Sequence, residues 1–191
     1  MELIILLVVV AALVLWIIGA YNGLITLKNQ VLNAWKQIDV QLKRRHDLVP
    51  NLVNTVKGAM TFERETLEAV ISARNRAVAA TSVKETARAE GELTQALGRL
   101  FALTEAYPEL KSNANILALQ EELTSTENKV GFARQHYNDA ATHYNTRQST
   151  FPTMLVAGLA KASPAELWEI EDAAERAVPK VDLSFGDKPK A

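Results

Sequence analysis

From Leu3 to Ala20 the chain carries no charge and is almost wholly Leu, Ile, Val and Ala; beyond it, apolar and polar positions interleave. At a 1.5 Å rise, about 18 to 20 helical residues cover the roughly 30 Å hydrocarbon layer of a bilayer. The stretch has no polar face, unlike the core helix of a soluble domain. Trp16 and Tyr21 stand where an interfacial aromatic belt falls. Glu2 follows the start Met, the apolar run is long, and Ile18-Gly19-Ala20 is not a small-x-small cleavage site. The expectation is a single uncleaved span over 1–21. No Lys or Arg precedes it, whereas Lys28, Lys36, Lys43, Arg44 and Arg45 follow, so the positive-inside pattern leans toward a cytoplasmic body with the N-terminus outside.

Past Leu24 the helix is expected to leave the membrane without a break. Val31, Trp35, Ile38, Leu42, Arg45, Val49, Leu52 and Val56 recur at alternating steps of four and three, the heptad seam of a packed bundle or coiled coil. Pro50 lies in this run and is expected to kink or divide the helix, and Gly58 to stop it. A second helix runs from about Phe62 to Ala80, with Leu67, Val70, Ile71, Arg74 and Val78 on one side. Ser82-Val83-Lys84-Glu85 reads as a capping box for a third helix, whose stripe is Leu93, Leu97, Leu100, Phe101 and Thr104 and which Pro108 closes. Asn113 caps the longest helix, which reaches roughly Thr150. Its seam is Ile116, Leu119, Leu123, Thr126, Val130, Ala133, Tyr137, Ala140 and Tyr144. About 38 residues at the helical rise make a rod on the order of 57 Å.

Short connections force antiparallel neighbours, so the expected fold is all-α: a single N-terminal transmembrane helix continuing into an antiparallel up-down bundle of four long helices, plus a short C-terminal helix. The body is then the bundle over 22–152. In that register Trp35 lies near Tyr137 and Arg45 near Glu127. Arg45 holds a seam position where an apolar residue is expected, and a buried cation needs a partner; pairing with Glu127 and snorkelling of its head to solvent are both open. Phe151 to Ala160 carries no charge and returns to the bilayer surface. It is too short to span, and can cover the bundle end, lie on lipid or meet a neighbouring subunit. Ser163-Pro164-Ala165-Glu166 supplies the start signals of a short amphipathic helix with Leu167, Ile170, Ala174 and Val178 on one face, ending at Pro179. Residues 153–178 thus form an apolar segment plus that helix, and 179–191 a tail.

Composition narrows the chemistry. Twenty-one basic and twenty-two acidic residues leave a net charge of -1, so no global field points to nucleic acid. With no cysteine, disulfides, thiolate metal sites and cysteine nucleophiles are excluded. No phosphate-binding Gly-rich loop, nucleophile elbow or HExxH occurs. Di-iron bundles use Glu-x-x-His, but the residues three before His46, His136 and His143 are Lys43, Ala133 and Ala140. His136 and His143 share a helix face without matching carboxylates, and read as solvated rather than metal-ligating. A hydrolytic grouping of His46 with Asp47, Glu63 and Glu65 is weaker than the ordinary reading of such charges as i,i+4 partners on exposed helices. No catalytic, cofactor or metal residue is assigned.

The stretch Tyr21-Asn22-Gly23-Leu24 and the string LKNQVLNAWKQIDVQLKRRHDLVPNLVNTVKG resemble the signature of the LemA family. So do AYPELKSNANILALQEELTSTENKVGFARQHYNDA and the later YN and FP pairs, and the resemblance runs over essentially the whole chain. It implies a bacterial membrane protein with one N-terminal span and a helical body. Family members include proteins of magnetosome formation, and no enzymatic activity is generally attributed to the family. The resemblance marks Trp35, Gln37, Asp39, Arg44, Arg45, Pro50, Asn51, Glu127, Asn128, Tyr137 and Asn138 as motif positions. After the FP pair, where members often carry a Phe-Gly-Phe-like segment, this chain has LVAGLAKASPAELWE.

Two functions fit this description. One is a self-associating scaffold, in which parallel anchors on a surface raise local concentration so that weak lateral contacts suffice, giving homo-oligomeric rings, cages or patches. The other is a regulatory or sensory partner of another membrane protein, for example a membrane protease.

Overall fold

The computed structural model describes residues 1–57 and 64–169. They form α1 (Glu2–Lys57), α2 (Arg64–Ala79), α3 (Val83–Ala106), a one-turn α4 (Pro108–Lys111), α5 (Ala114–Ser149) and a one-turn α6 (Met154–Ala157), with no strand among the described residues. The architecture is the all-α up-down bundle expected. Its long members are α1, α2, α3 and α5, and α1 packs along α5 while α2 packs on α3. At 56 residues, α1 is a rod roughly 84 Å long. Residues 2–19 of it are all exposed, and it is the one described helix long and apolar enough to cross a membrane.

Pro50 does not divide α1. Proline lacks the N–H that would meet the carbonyl four residues back, which here belongs to His46. Arg74 from α2 takes up that carbonyl, its Nε donating to the His46 oxygen at 3.2 Å. The expected stop at Gly58 and the start near Phe62 lie outside the described residues. At α3 the capping box forms in full: the Glu85 backbone N–H donates to Ser82, and the Glu85 carboxylate accepts from the backbone of Thr81 and Ser82. Those donors, the Thr81 backbone first, hold the Glu85 carboxyl below the usual carboxylate range. Pro108 ends α3 by opening α4 at its first position, and the Asn113 side chain caps α5 by accepting from Asn115 and Ile116.

Two cores stack along the rod. A distal core gathers Val49, Leu52 and Val56 of α1, Leu67 and Val70 of α2, Leu93, Leu97 and Leu100 of α3, and Ile116 and Leu123 of α5. A proximal core, on the side of the apolar leader, joins Val31, Ala34, Ile38 and Leu42 to Val130, Tyr137, Ala141, Tyr144 and Trp168. The stripe expected on α2 differs: Ile71 and Val78 are exposed, and Ala73 and Ala77 are buried in their place.

The C-terminal segment departs from expectation. A one-turn helix, Met154–Ala157, lies within the expected apolar segment, and the start signals at Ser163–Glu166 open no helix among the described residues: residues 162–169 run as an irregular strap along α5. Of the expected helical face, Leu167 is exposed, and residues from Ile170 onward lie outside the described set. The physical reason is that Asn145, Tyr137 and Asn138 capture the strap's backbone groups, which a helix would have kept for itself.

Candidate functional site

Between the two cores lies a layer of charge. Arg45, His46 and Glu90 are 3%, 9% and 4% exposed, as buried as the aliphatic side chains above and below them. α1 brings the first two, Arg45 from its seam and His46 next to it, and α3 brings the third from its stripe Thr86, Glu90, Leu93 and Leu97. Glu90 divides its oxygens: Oε2 accepts from Arg45 Nη1 at 3.2 Å, and Oε1 lies 2.5 Å from His46 Nε2. Arg45 Nη2 donates to Thr94 Oγ1 at 2.9 Å and lies 3.8 Å from Glu127 Oε1 on α5. Thr94 in turn donates to Glu127 at 3.4 Å. Three long helices therefore meet through one guanidinium. Arg45 Nε has no hydrogen-bond partner, so the cation is held by its two terminal nitrogens.

Beside this layer a groove of about 510 Å³ opens between α1 and the α2–α3 turn, lined by Trp35, Asp39, Lys43, His46, Asp47, Arg74 and their neighbours. His46 thus has Glu90 on one side and the groove on the other. The chemistry available is charge pairing and hydrogen bonding. Among the described residues no three His, Asp or Glu gather as a metal site would require.

The second constellation is the clasp on the strap. Asn145 binds both backbone groups of Ala165, donating to its carbonyl at 2.9 Å and accepting from its N–H at 2.8 Å. Asn138 does the same for Trp168, at 3.0 and 2.8 Å. The two asparagines are seven positions apart on a helix, about 10.5 Å along its axis. Ala165 and Trp168 are three positions apart in a chain that extends by about 3.3 Å per residue, close to 10 Å. The lengths match, so two side-chain amides act like the rungs of a β-ladder. Tyr137 adds a hydrogen bond to the Glu166 carbonyl at 2.7 Å. Burial, and then the Glu166 carboxylate, push the Tyr137 phenol above its ordinary pKa. Trp168 closes the proximal core against Trp35 (6.0 Å between ring centroids) and under the Arg134 guanidinium at 5.2 Å. Trp35 meets Tyr137 edge-on at 5.4 Å.

Comparison with known proteins places this arrangement. The LemA family model matches residues 34–183, which include every residue of the charge layer and of the clasp. The chain belongs to the LemA family. A Metamycoplasma hominis protein named LemA is 28% identical over 142 residues, 73% of this chain and 64% of the relative. The chain thus spans less than two thirds of that relative's length. The magnetosome protein MamQ 2 of Paramagnetospirillum magneticum is 22% identical over 192 residues, 87% of this chain and 71% of the relative. The magnetosome protein MamQ of Magnetospirillum gryphiswaldense is 22% identical over 158 residues, 69% and 58% of the two chains.

The motif positions fall into three groups in this LemA-family fold. Trp35, Tyr137 and Asn138 belong to the clasp, and Arg45 and Glu127 to the charge layer, with both expected proximities present. Arg44 is exposed and pairs with Glu122 at 2.6 Å, Asp39 lines the groove, and Pro50 frees the carbonyl that Arg74 binds. Gln37, Asn51 and Asn128 are exposed and join neither constellation. Of the imagined hydrolytic grouping, Asp47 and Glu65 are exposed and Glu63 lies outside the described residues. The expected pairing passed over Glu90, the nearest counter-charge of both Arg45 and His46. Its signal was there: Glu90 extends the α3 stripe by one step of three from Leu93.

Proposed function

We propose that this protein is a single-pass, non-enzymatic scaffold at the bacterial membrane, whose bundle self-associates side by side. The observation that carries the reading is the unbroken passage of α1 from its apolar leader into the bundle core. With no linker between them, every copy in a bilayer presents its bundle at one height and in one orientation. Copies confined to a surface meet at high effective concentration, so small contact faces suffice. Large apolar side chains stand ready for such contact: Val40 and Phe132 are 63% and 74% exposed on the two longest helices. The similarity to magnetosome proteins supports a membrane setting. The cations after the leader and their absence before it support a cytoplasmic bundle with the N-terminus outside.

Mass measurement of the full chain in detergent, across a wide concentration range, tests the proposal. The expected result is a discrete assembly above the monomer, shifted toward monomer by Phe132→Glu. A strictly monomeric particle at every concentration overturns it. A second reading, a receptor for a membrane-protein partner, is favoured by the groove beside His46. Recovery of one stoichiometric heterologous partner, lost with Arg45→Met, is the result that selects it.

A further inference from the structure

We infer that residues 151–160 form a second membrane contact, a short apolar cap seated in the lipid headgroup region beside the point where α1 enters the bilayer. This rests on reading the start of α1 as the span. The register fixes the height. Trp35 pairs with Tyr137 and Arg45 with Glu127, and the residue numbers in each pair sum to 172. Continued down the antiparallel pair, that register sets Phe151 level with Tyr21, at the end of the apolar leader. α6 packs there against both α1 and α5.

The cap has two faces. Thr153, Val156 and Ala160 are buried against the bundle end, at 2%, 2% and 7% exposure. Phe151, Met154, Leu155 and Leu159 point away from it, at 73%, 51%, 66% and 69%. No charge occurs between Arg147 and Lys161, and both of those residues are exposed. A contiguous apolar patch bounded by cations suits an anionic bilayer surface, where apolar side chains enter by about 5–10 Å and basic ones meet the phosphates. Lipid is the occupant because the patch is continuous in height with the exposed apolar shell of α1, which the same lipid surrounds. The cap and the span make two attachments on one rigid body, and interfacial anchors of this kind set the tilt and rotation of a span.

The chain has no cysteine, so single-cysteine variants of the full protein report position directly. Leu7→Cys, Phe132→Cys and Leu155→Cys are each labelled with an environment-sensitive fluorophore and placed in vesicles of phosphatidylcholine and phosphatidylglycerol. The vesicles carry a nitroxide either near the top of the acyl chain or near its end. The expected result is loss of most emission at Leu155→Cys with the shallow nitroxide, loss at Leu7→Cys with the deep one, and none at Phe132→Cys. If Leu155→Cys stays as bright as Phe132→Cys while Leu7→Cys is quenched, the cap is overturned and the span stands. If Leu7→Cys is not quenched either, the span reading itself fails. Unquenched Leu155→Cys chains that cross-link to one another assign the patch to a second copy, and overturn the lipid assignment.

Discussion

The distal and proximal cores of the bundle solve the same problem with different materials. The distal core is enclosed by four long helices, whose backbones are paired within the helices apart from the His46 carbonyl that Arg74 takes up, so Leu, Val, Ile and Ala suffice to fill it. Beyond the α2–α3 turn, only α1 and α5 continue toward the apolar leader, and two helices cannot enclose a core. The third wall is the strap of residues 162–169. An irregular strap brings unpaired N–H and C=O groups with it, and buried backbone groups need partners. Hence the proximal half carries Asn138, Asn145 and Tyr137 to pair them, and Trp168 to fill the space. The comparison separates non-directional burial from directional recognition within one rod. The charge layer of Arg45, His46 and Glu90 is the seam between the two.

The largest effect should come from breaking that seam. Glu90→Ala leaves the Arg45 guanidinium with only Glu127, at 3.8 Å, as a counter-charge. Loss of one partner from a buried ion pair costs about 3–5 kcal/mol, and thermal unfolding of the full chain in mild detergent measures it. The triple replacement Arg45→Met, His46→Leu and Glu90→Leu should recover most of that loss, because well-packed apolar residues often replace buried ions without cost. A Glu90→Ala loss well under about 1 kcal/mol, the range of exposed pairs, sinks the view that the layer is dry. Retained assembly in the stable triple variant then assigns the layer to structure, and lost assembly assigns it to function.

Next in size is the wall of the proximal half. Trp168→Ala removes the one strap side chain buried among Trp35, Tyr137 and Tyr144, at about 3 kcal/mol for a core aromatic. The loss should be local. Hydrogen exchange is expected to quicken over the second half of α5, around Tyr137 to Tyr144, while the amides near Leu119 to Leu123 keep their protection. Uniform loss along α5 defeats the two-core description.

Tolerance to conservative change sharpens the contrast further. Asn145→Leu keeps side-chain size but leaves both backbone groups of Ala165 unpaired, at about 1–3 kcal/mol. Leu97→Met in the distal core keeps volume and should cost less than about 1.5 kcal/mol. Equal melting shifts for the two variants contradict a directional proximal core.

The same division governs what could be read from sequence. The leader, the seams of α1 and α5, the Ser82 capping box and the Asn113 cap are local signals of period or chemistry, and each reappears in three dimensions. The nearness of Arg45 to Glu127 followed from register alone, while their pairing had stayed open beside snorkelling. Glu90 did not, because the α3 stripe was read from Leu93 onward, and an acidic residue one step before it reads as a solvated side chain unless the stripe is extended through it. The strap shows the deeper limit. Ser163-Pro164-Ala165-Glu166 is a good local helix start, but local propensity lost to Asn145 and Asn138, which bind backbone groups 20 and 30 positions away. A signal existed in the heptad spacing of the Tyr-Asn pairs at 137–138 and 144–145. It reads as a seam until an extended segment with matching spacing is laid against it.

The smallest effect tests the hydroxyl of the clasp. Tyr137→Phe removes one hydrogen bond to the Glu166 carbonyl, worth about 1 kcal/mol at neutral pH. Its pH dependence has a definite sign. Burial disfavours the phenolate, so the folded-state pKa of Tyr137 lies above the unfolded value of about 10. Below that unfolded value both states hold the proton, and the contribution of the neutral phenol to stability is whole. As pH rises from there through the folded pKa, the unfolded chain releases the proton first and the contribution is lost. The phenylalanine variant has no such proton to release. Melting curves of the two proteins should therefore lie apart by a constant interval from neutral pH to about 9 and converge above about 10. Divergence in that range means the phenol ionises more easily in the fold than out of it, and the strap is then not closed over Tyr137.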